Sequence, residues 1–141
     1  MKFRYLKFDL KKASEVLGRS ILKPIIPIRL KFGDVSLRYA ALIDSGADFC
    51  IFDAEIGEYL GIDILSGKKE EFGGIQEKGT SFAYFHKVIL NIGGRDYPIV
   101  AGFSYDIAKH GYGVLGQKGF FDIFVVKFDF LREEIELNPR E

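Results

Sequence analysis

Asp44 ends the apolar run Ala40 to Ile43 and is followed at once by Ser45, Gly46 and Ala47. A carboxylate in that place has two readings. It can be an ordinary turn acid at a strand end, because Asp side chains accept hydrogen bonds from nearby backbone amides. It can also be a general acid or base held at the edge of a core. Few other residues compete for a chemical role. Cys50 is the single cysteine, so an internal disulfide and a two-cysteine zinc pattern are excluded. No histidine pattern accompanies it to make a nucleophile, and it reads as a small, half-buried residue beside the Asp44 loop. The two histidines, His86 and His110, are too few for a metal cluster, so neither metal nor cofactor is expected. The run Gly111 to Gly116 is rich in glycine but lacks the Gly-Lys-Ser/Thr ending of a phosphate loop.

The chain has 141 residues, 48% apolar and 28% charged, with 20 basic and 20 acidic side chains. This is the make-up of an ordinary folded protein, and the length suits one domain spanning 1–141. With no cationic excess, neither nucleic acid nor an anionic membrane is an expected partner. No apolar run approaches the ~20 residues of a membrane span. The opening Met1-Lys2-Phe3-Arg4 carries no signal-peptide pattern. Together with the lone cysteine, that predicts a reducing cytoplasm.

The elements that must position Asp44 read mainly as short strands. Lys2 to Phe8 alternates and predicts a strand. Lys11 to Ser20 reads as a weak helical turn or loop that ends near Gly18. Lys23 to Phe32 and Val35 to Asp44, joined by Gly33-Asp34, predict a hairpin with Val35, Leu37, Tyr39 and Ala41 on one face. Pro24 and Pro27 put its first strand near a sheet edge or make this its beginning. Asp53 to Ile62 predicts a helix, with Asp53 as cap, Glu55 in the first turn and Gly61 as terminator. Lys68 to Glu71 reads as a solvated turn. Phe82 to Ile92 predicts a long strand that turns at Gly93-Gly94 into another. After Val114-Leu115-Gly116 a short helical turn is expected over Gln117 to Asp122. A last hairpin, Ile123 to Asp129 with Glu133 to Leu137, turns through Phe130 to Glu133.

The stretch "LIDSGAD", Leu42 to Asp48, resembles the active-site loop of retropepsin-like aspartic proteases, in which two apolar residues precede Asp-Thr/Ser-Gly-Ala. A second block, "GVLGQKGFFDIF", is similar to that family's apolar-apolar-Gly segment leading into a short helix. Between them "EFGGIQEKG" stands where the family carries its flap hairpin. The order of the three matches over Ile26 to Leu137, and the likeness is to single-domain, prokaryotic-type members. The resemblance implies an all-β, closed or partly closed acid-protease barrel, with one helix after the catalytic loop and a short C-terminal helix.

What the resemblance implies for function is specific. Hydrolysis would use a water held between two carboxylates, one ionised and one protonated. At ~3 Å and an effective dielectric near ~20, two negative charges repel by roughly 5 kcal/mol, so only one ionises near neutral pH. This is the established behaviour of aspartic-protease dyads, and the titration belongs to the pair. Only one Asp-Ser-Gly occurs in the chain, so the pair implies a homodimer with Asp44 from each copy. Ser45 would bond across the dimer, and Gly46 would allow close backbone approach. Ala47 and Asp48 would hold the main chain of an extended peptide. Gly73, Gly74 and Ile75 would form the flap tip, and Val114, Leu115 and Gly116 would pack behind the loop. Two positions depart from the viral pattern: Phe49 stands where a second Asp is usual, and Gln117 where an Arg follows Gly. Bland readings stay open beside these: Asp48 as a solvated or capping acid, and Gly73-Gly74 as an ordinary hairpin turn. An alternative function is a catalytically inactive dimeric peptide-binding module with the same fold. A two-carboxylate glycosidase finds no aromatic sugar platform in support.

Overall fold

A computed structural model describes residues 1–73, 81–107 and 111–140. Three short apolar or amphipathic runs begin the chain: β1 (Lys2–Arg4), β2 (Leu6–Ser14) and β3 (Gly18–Lys23). The barrel then follows: β4 (Ile25–Phe32), β5 (Val35–Ile43), β6 (Ile51–Asp53), α1 (Ala54–Tyr59), β7 (Lys68–Phe72), β8 (Ser81–Ile92), β9 (Arg95–Ser104) and β10 (Gly113–Leu115). A hairpin of β11 (Phe124–Asp129) and β12 (Glu134–Pro139) completes it.

The large sheet has the order β4-β5-β10-β6-β9-β8-β7. It closes because β8 is long enough to serve two neighbours along one edge. Its first residues pair with β7 (Lys68 with Phe85, Phe72 with Ser81), and its last pair with β4 (Arg29 with Asn91, Lys31 with Ile89). β9 runs along the other edge. Closure through β4 and β8 removes most of the sheet edge that would otherwise be open to aggregation, and among the described residues β7 pairs with β8 alone. The β4–β5 hairpin turns at Gly33-Asp34 as expected, with Phe32 opposite Val35 and Gly33 at φ +56. Pro27 lies in the part of β4 that precedes its pairing with β8, so its missing N–H costs that seam nothing. Ile26, Leu30, Ala41, Phe52, Leu90, Ile92, Phe103 and Leu115 are wholly or almost wholly buried inside.

The helix forms where expected. Asp53 caps it by accepting from the Glu55 N–H at 2.9 Å, and Gly61 follows it at φ +92. Gly57 is required by close packing: a Cβ there would lie 2.6 Å from Ile64 Cδ1 and 2.7 Å from Phe103 Cδ1.

Three expectations are corrected. Lys11 to Ser20 is a hairpin, not a helical turn or loop. β2 runs to Ser14, whose Oγ accepts from the N–H groups of Val16 (3.2 Å) and Leu17 (3.1 Å), and Gly18 at φ +83 starts the return. Lys68 to Glu71 is strand β7 rather than a solvated turn. Its charged side chains stay exposed while its backbone pairs with β8, and Lys69 Nζ sits 4.0 Å from the Phe82 ring centroid. Gln117 to Asp122 is a chain of turns, not a short helix. Gly119 adopts φ +97, and its N–H bonds to Asp122 Oδ1 at 3.0 Å, which breaks the helical pattern.

Among the described residues no helix is long and apolar enough to cross a membrane, and no group of His, Cys, Asp or Glu is placed to hold a metal ion. β1, β12 and β11 form a separate three-stranded sheet, closed onto the barrel by buried Phe120, Phe124, Ile135 and Leu137.

Candidate active site

β5 delivers Asp44, and β10 fixes it. β10 lies between β5 and β6, parallel to the first and antiparallel to the second: Leu115 is opposite Ile43, and Val114 is opposite both Leu42 and Ile51. The ladder continues past the strand, because the Asp44 N–H bonds to the Leu115 carbonyl at 3.0 Å. The chain then makes a tight loop, closed by Ala47 N–H to Asp44 O at 3.1 Å. Inside it the Gly46 N–H donates to Asp44 Oδ1 at 2.9 Å, which orients the carboxylate. A Cβ on Gly46 would lie 3.2 Å from that same oxygen, so a side chain there would press on the group being held.

The far side of the loop is zipped to the segment after β10. Gln117 N–H bonds to Ala47 O at 2.8 Å, Lys118 N–H to Asp48 O at 2.9 Å, and Cys50 N–H to Lys118 O at 3.2 Å. The Gln117 side chain adds a bond from Nε2 to Ser45 O at 2.6 Å. Gly116 passes so close beneath that a Cβ would collide with the carbonyl oxygens of Phe49 and Ala47. Leu115 and Gly116 are therefore buried behind the loop, while Val114 lines the cleft in front of it.

That cleft has a volume of about 520 Å³. Asp44, Gly46, Ala47 and Asp48 line it from the loop, Ile51 and Val114 from β6 and β10, and Glu71, Phe72 and Gly73 from the end of β7. Ile107 and Tyr112 complete it. Asp44 is half-buried, and Ser45, Gly46 and Asp48 are exposed. The expected flap residues Gly74 and Ile75 lie outside the described residues. Glu71 and Phe72 open the stretch expected to stand at the flap, but sequence reasoning had not found Ile51, Ile107 or Tyr112. None carries a motif, and they meet Asp44 only through the barrel.

Phe49 turns away from a polar role. Its ring packs edge-on against Phe85 at 4.7 Å and against Phe72 at 6.3 Å, tying the Asp44 loop to β7 and β8. Behind the loop, burial pushes the Cys50 thiol up to about 12, despite a hydrogen bond with Gly116 that acts in the opposite direction. Cys50 is thus a packing residue. Burial likewise raises Tyr39 to about 12, and its hydroxyl accepts from the Asp53 N–H at 3.4 Å.

A barrel that closes through β4 and β8, with β10 threaded beside an Asp-Ser-Gly loop, defines an all-β acid-protease fold of the retropepsin-like kind. One solved structure of the same fold bears this out. The chain is similar to a retropepsin-like aspartic protease from Rickettsia conorii (TM-score 0.56, 14% identity), over 97% of this chain and 96% of that one. It also matches EIAV protease in complex with the inhibitor HBY-793 (TM-score 0.47, 18% identity), over 67% of this chain and 82% of that one. No protein-family model matches the sequence, and no curated protein matches it.

Proposed function

We propose that this chain is a single-domain, cytoplasmic, homodimeric aspartic endopeptidase. Two copies of Asp44 meet at a two-fold axis, share one proton, and activate a water against the peptide carbonyl. The observation that carries the reading is the placement of Asp44. It is anchored to Leu115 through the backbone, oriented by the Gly46 amide, and set on the wall of a cleft of about 520 Å³. Ser45 and Gly46 are exposed at the loop apex, as residues meeting a second copy need to be. Ala47, Asp48 and Gly73 hold the main chain of an extended peptide. Val114, Leu115 and Gly116 keep the loop from moving.

The likeness to the Rickettsia conorii retropepsin-like protease supports the fold of this reading. The test is cleavage of an unfolded polypeptide by the wild-type dimer and by Asp44→Asn, with fold checked by circular dichroism. Cleavage by the wild type and none by the variant is the expected result. A wild-type dimer that cleaves nothing from acid to neutral pH sinks the reading.

A second reading has one observation of its own. Gln117 occupies the rim position where the resemblance places an arginine, and its side chain is engaged with Ser45. The chain would then be a dimeric module that binds extended peptides without hydrolysis. Peptide binding that survives in wild type and Asp44→Asn alike, with no cleavage by either, selects it.

A further inference from the structure

The β2–β3 hairpin stands apart from the rest of the fold. Its strands pair only with each other, as a separate two-stranded sheet. β2 is nine residues long, about 30 Å of strand. A lone two-stranded ribbon is marginal in water unless something covers one face. The registry of Leu6 with Lys23 and Phe8 with Ile21 sets Leu6, Phe8 and Ile21 on one face, and Leu10 follows at the start of the bulge between Asp9 and Ser14. None of these four belongs to the core cluster or packs against it. Lys23 adds a cation to that face, with Nζ 5.6 Å from the Phe8 ring centroid. At the tip, Val16 is 90% and Leu17 59% exposed. Lys7, Leu17, Ser20, Ile21 and Leu22 line a hollow of about 310 Å³ together with Phe130 and Glu133 of the same chain.

The root of the arm lies beside the candidate active site. Pro24, which links β3 to β4, accepts the N–H of Ile43 at 2.9 Å, one residue before Asp44. A second copy that brings its Asp44 to this one must therefore approach the arm's base. Charge points the same way. Residues 6–23 hold Lys7, Lys11, Lys12, Arg19 and Lys23 against Asp9 and Glu15, a formal +3, so the remainder of this neutral chain carries −3. A basic arm whose apolar face is half-buried at Phe8, Leu10 and Ile21 and exposed at Leu6 thus meets, in a second copy, a body of opposite charge.

We propose that the β2–β3 arm clasps a second copy of this chain, which covers the Leu6–Phe8–Ile21 face. Under two-fold symmetry each copy gives an arm and receives one, so the contact is made twice and the assembly closes. The proposal rests on the homodimeric reading of Asp44 and adds to it the element that holds the dimer together.

Sedimentation equilibrium of the full chain tests it, using wild type, Phe8→Asp and the double variant Lys11→Glu/Lys12→Glu. Each variant is expected to associate roughly tenfold or more weakly, as when a buried aromatic or a complementary charge is lost at an interface. Thermal midpoints should fall modestly and more at low protein concentration, because weaker association removes part of the stability that dimerisation adds. An unchanged dimer constant in both variants overturns the clasp, and if wild type still cleaves, the protease reading stands without it. A wild type that is monomeric throughout overturns the homodimer and the clasp together. Wild-type binding to phosphatidylserine vesicles or single-stranded DNA that Phe8→Asp loses, with dimerisation unaffected, gives the arm to a polyanion and overturns the clasp. As an independent readout, Val16→Cys is labelled with a maleimide–benzophenone cross-linker in mixed light and isotopically heavy protein. Cys50 stays silent because it is fully buried with its thiol pushed up to about 12. Light-to-heavy cross-links support the clasp, and links confined to one copy overturn it.

Discussion

Gln117 donates from its side-chain amide to the backbone carbonyl of Ser45 at 2.6 Å, joining the residue after Gly116 to the residue after Asp44. Gln117 is neutral and cannot form the ion pair with Asp48 that an arginine would make. It steadies the loop through its backbone and its amide instead. Gln117→Ala removes one exposed hydrogen bond, with a net value of about 1 kcal/mol, so the melting midpoint should fall by about 3 °C. Because the bond ends on the residue beside Asp44, cleavage should fall several-fold at full folding. Assays run well below the midpoint separate the two effects.

Gly116 and Gly57 both sit where a Cβ has no room, but their neighbours differ. A Cβ at Gly57 would meet Ile64 Cδ1, the end of a side chain that can shift, and the ring of buried Phe103. At Gly116 it would meet the backbone oxygens of Ala47 and Phe49, in a loop already zipped at Ala47, Asp48 and Cys50. Overpacking of a tight site costs about 1–3 kcal/mol. Gly57→Ala should fall in that range, and Gly116→Ala should exceed it. Urea unfolding of the two variants orders them, and a milder Gly116→Ala would contradict the packing described.

Phe49 couples the Asp44 loop to β7 and β8 through Phe85 and Phe72. Gly102 packs beside these rings, and a Cβ there would be blocked by Ala83 Cβ at 2.9 Å while only touching Phe49 Cε2 and Phe85 Cζ at 3.4 Å. Phe49 is half-buried, so Phe49→Ala should cost about 2 kcal/mol, below the range for a fully buried ring. The ring also lines the cleft, so the variant should cleave a mixed peptide pool at a different set of sites. Mass spectrometry of the products reads this directly. An unchanged cleavage pattern would mean that Phe49 serves only to pack.

The loop and the elements beside it were legible because local chemistry and global fold agree there. Leu42 and Ile43 read as strand, Asp-Ser-Gly as a loop with an acid in it, Asp53 and Gly61 as the two ends of a helix. Where one cue served two structures, sequence reading failed. Lys68 to Glu71 has no apolar alternation, and only pairing with β8 makes it a strand. The spacing of Phe120, Phe121 and Phe124 suits a helical turn, but Gly119 and Asp122 set turns there instead. The arm hid behind Lys11-Lys12-Ala13, which fits helix or strand equally, and its turn depends on one hydroxyl, that of Ser14. The cleft was the least legible. Ile51, Phe72 and Tyr112 are far apart in sequence, and only closure of the barrel gathers them around Asp44.

That closure has a pH-sensitive clip at its seam. Asp96, near the start of β9, accepts from Asn91 Nδ2 of β8 at 2.6 Å and pairs with Lys31 Nζ of β4 at 2.9 Å. It therefore touches all three strands that meet where β4 joins β8. The Asn91 hydrogen bond, followed by the bond from Lys31, lowers the Asp96 carboxyl below its ordinary value. A carboxyl lowered on folding contributes stability above its unfolded pKa of about 3.9 and loses it as pH falls through the folded value. Asp96→Asn keeps the shape but removes the charge. At pH 7 the variant should melt below wild type, and the gap should shrink toward zero as the pH is lowered past the carboxylate range. High salt should narrow the gap at pH 7 as well, because the pair is exposed and screened. Cleavage at neutral pH should be unaffected, since Asp96 does not line the Asp44 cleft. A gap that stays constant from pH 7 to pH 2 would show that the clip contributes by shape alone, and the assigned charge interaction would be wrong.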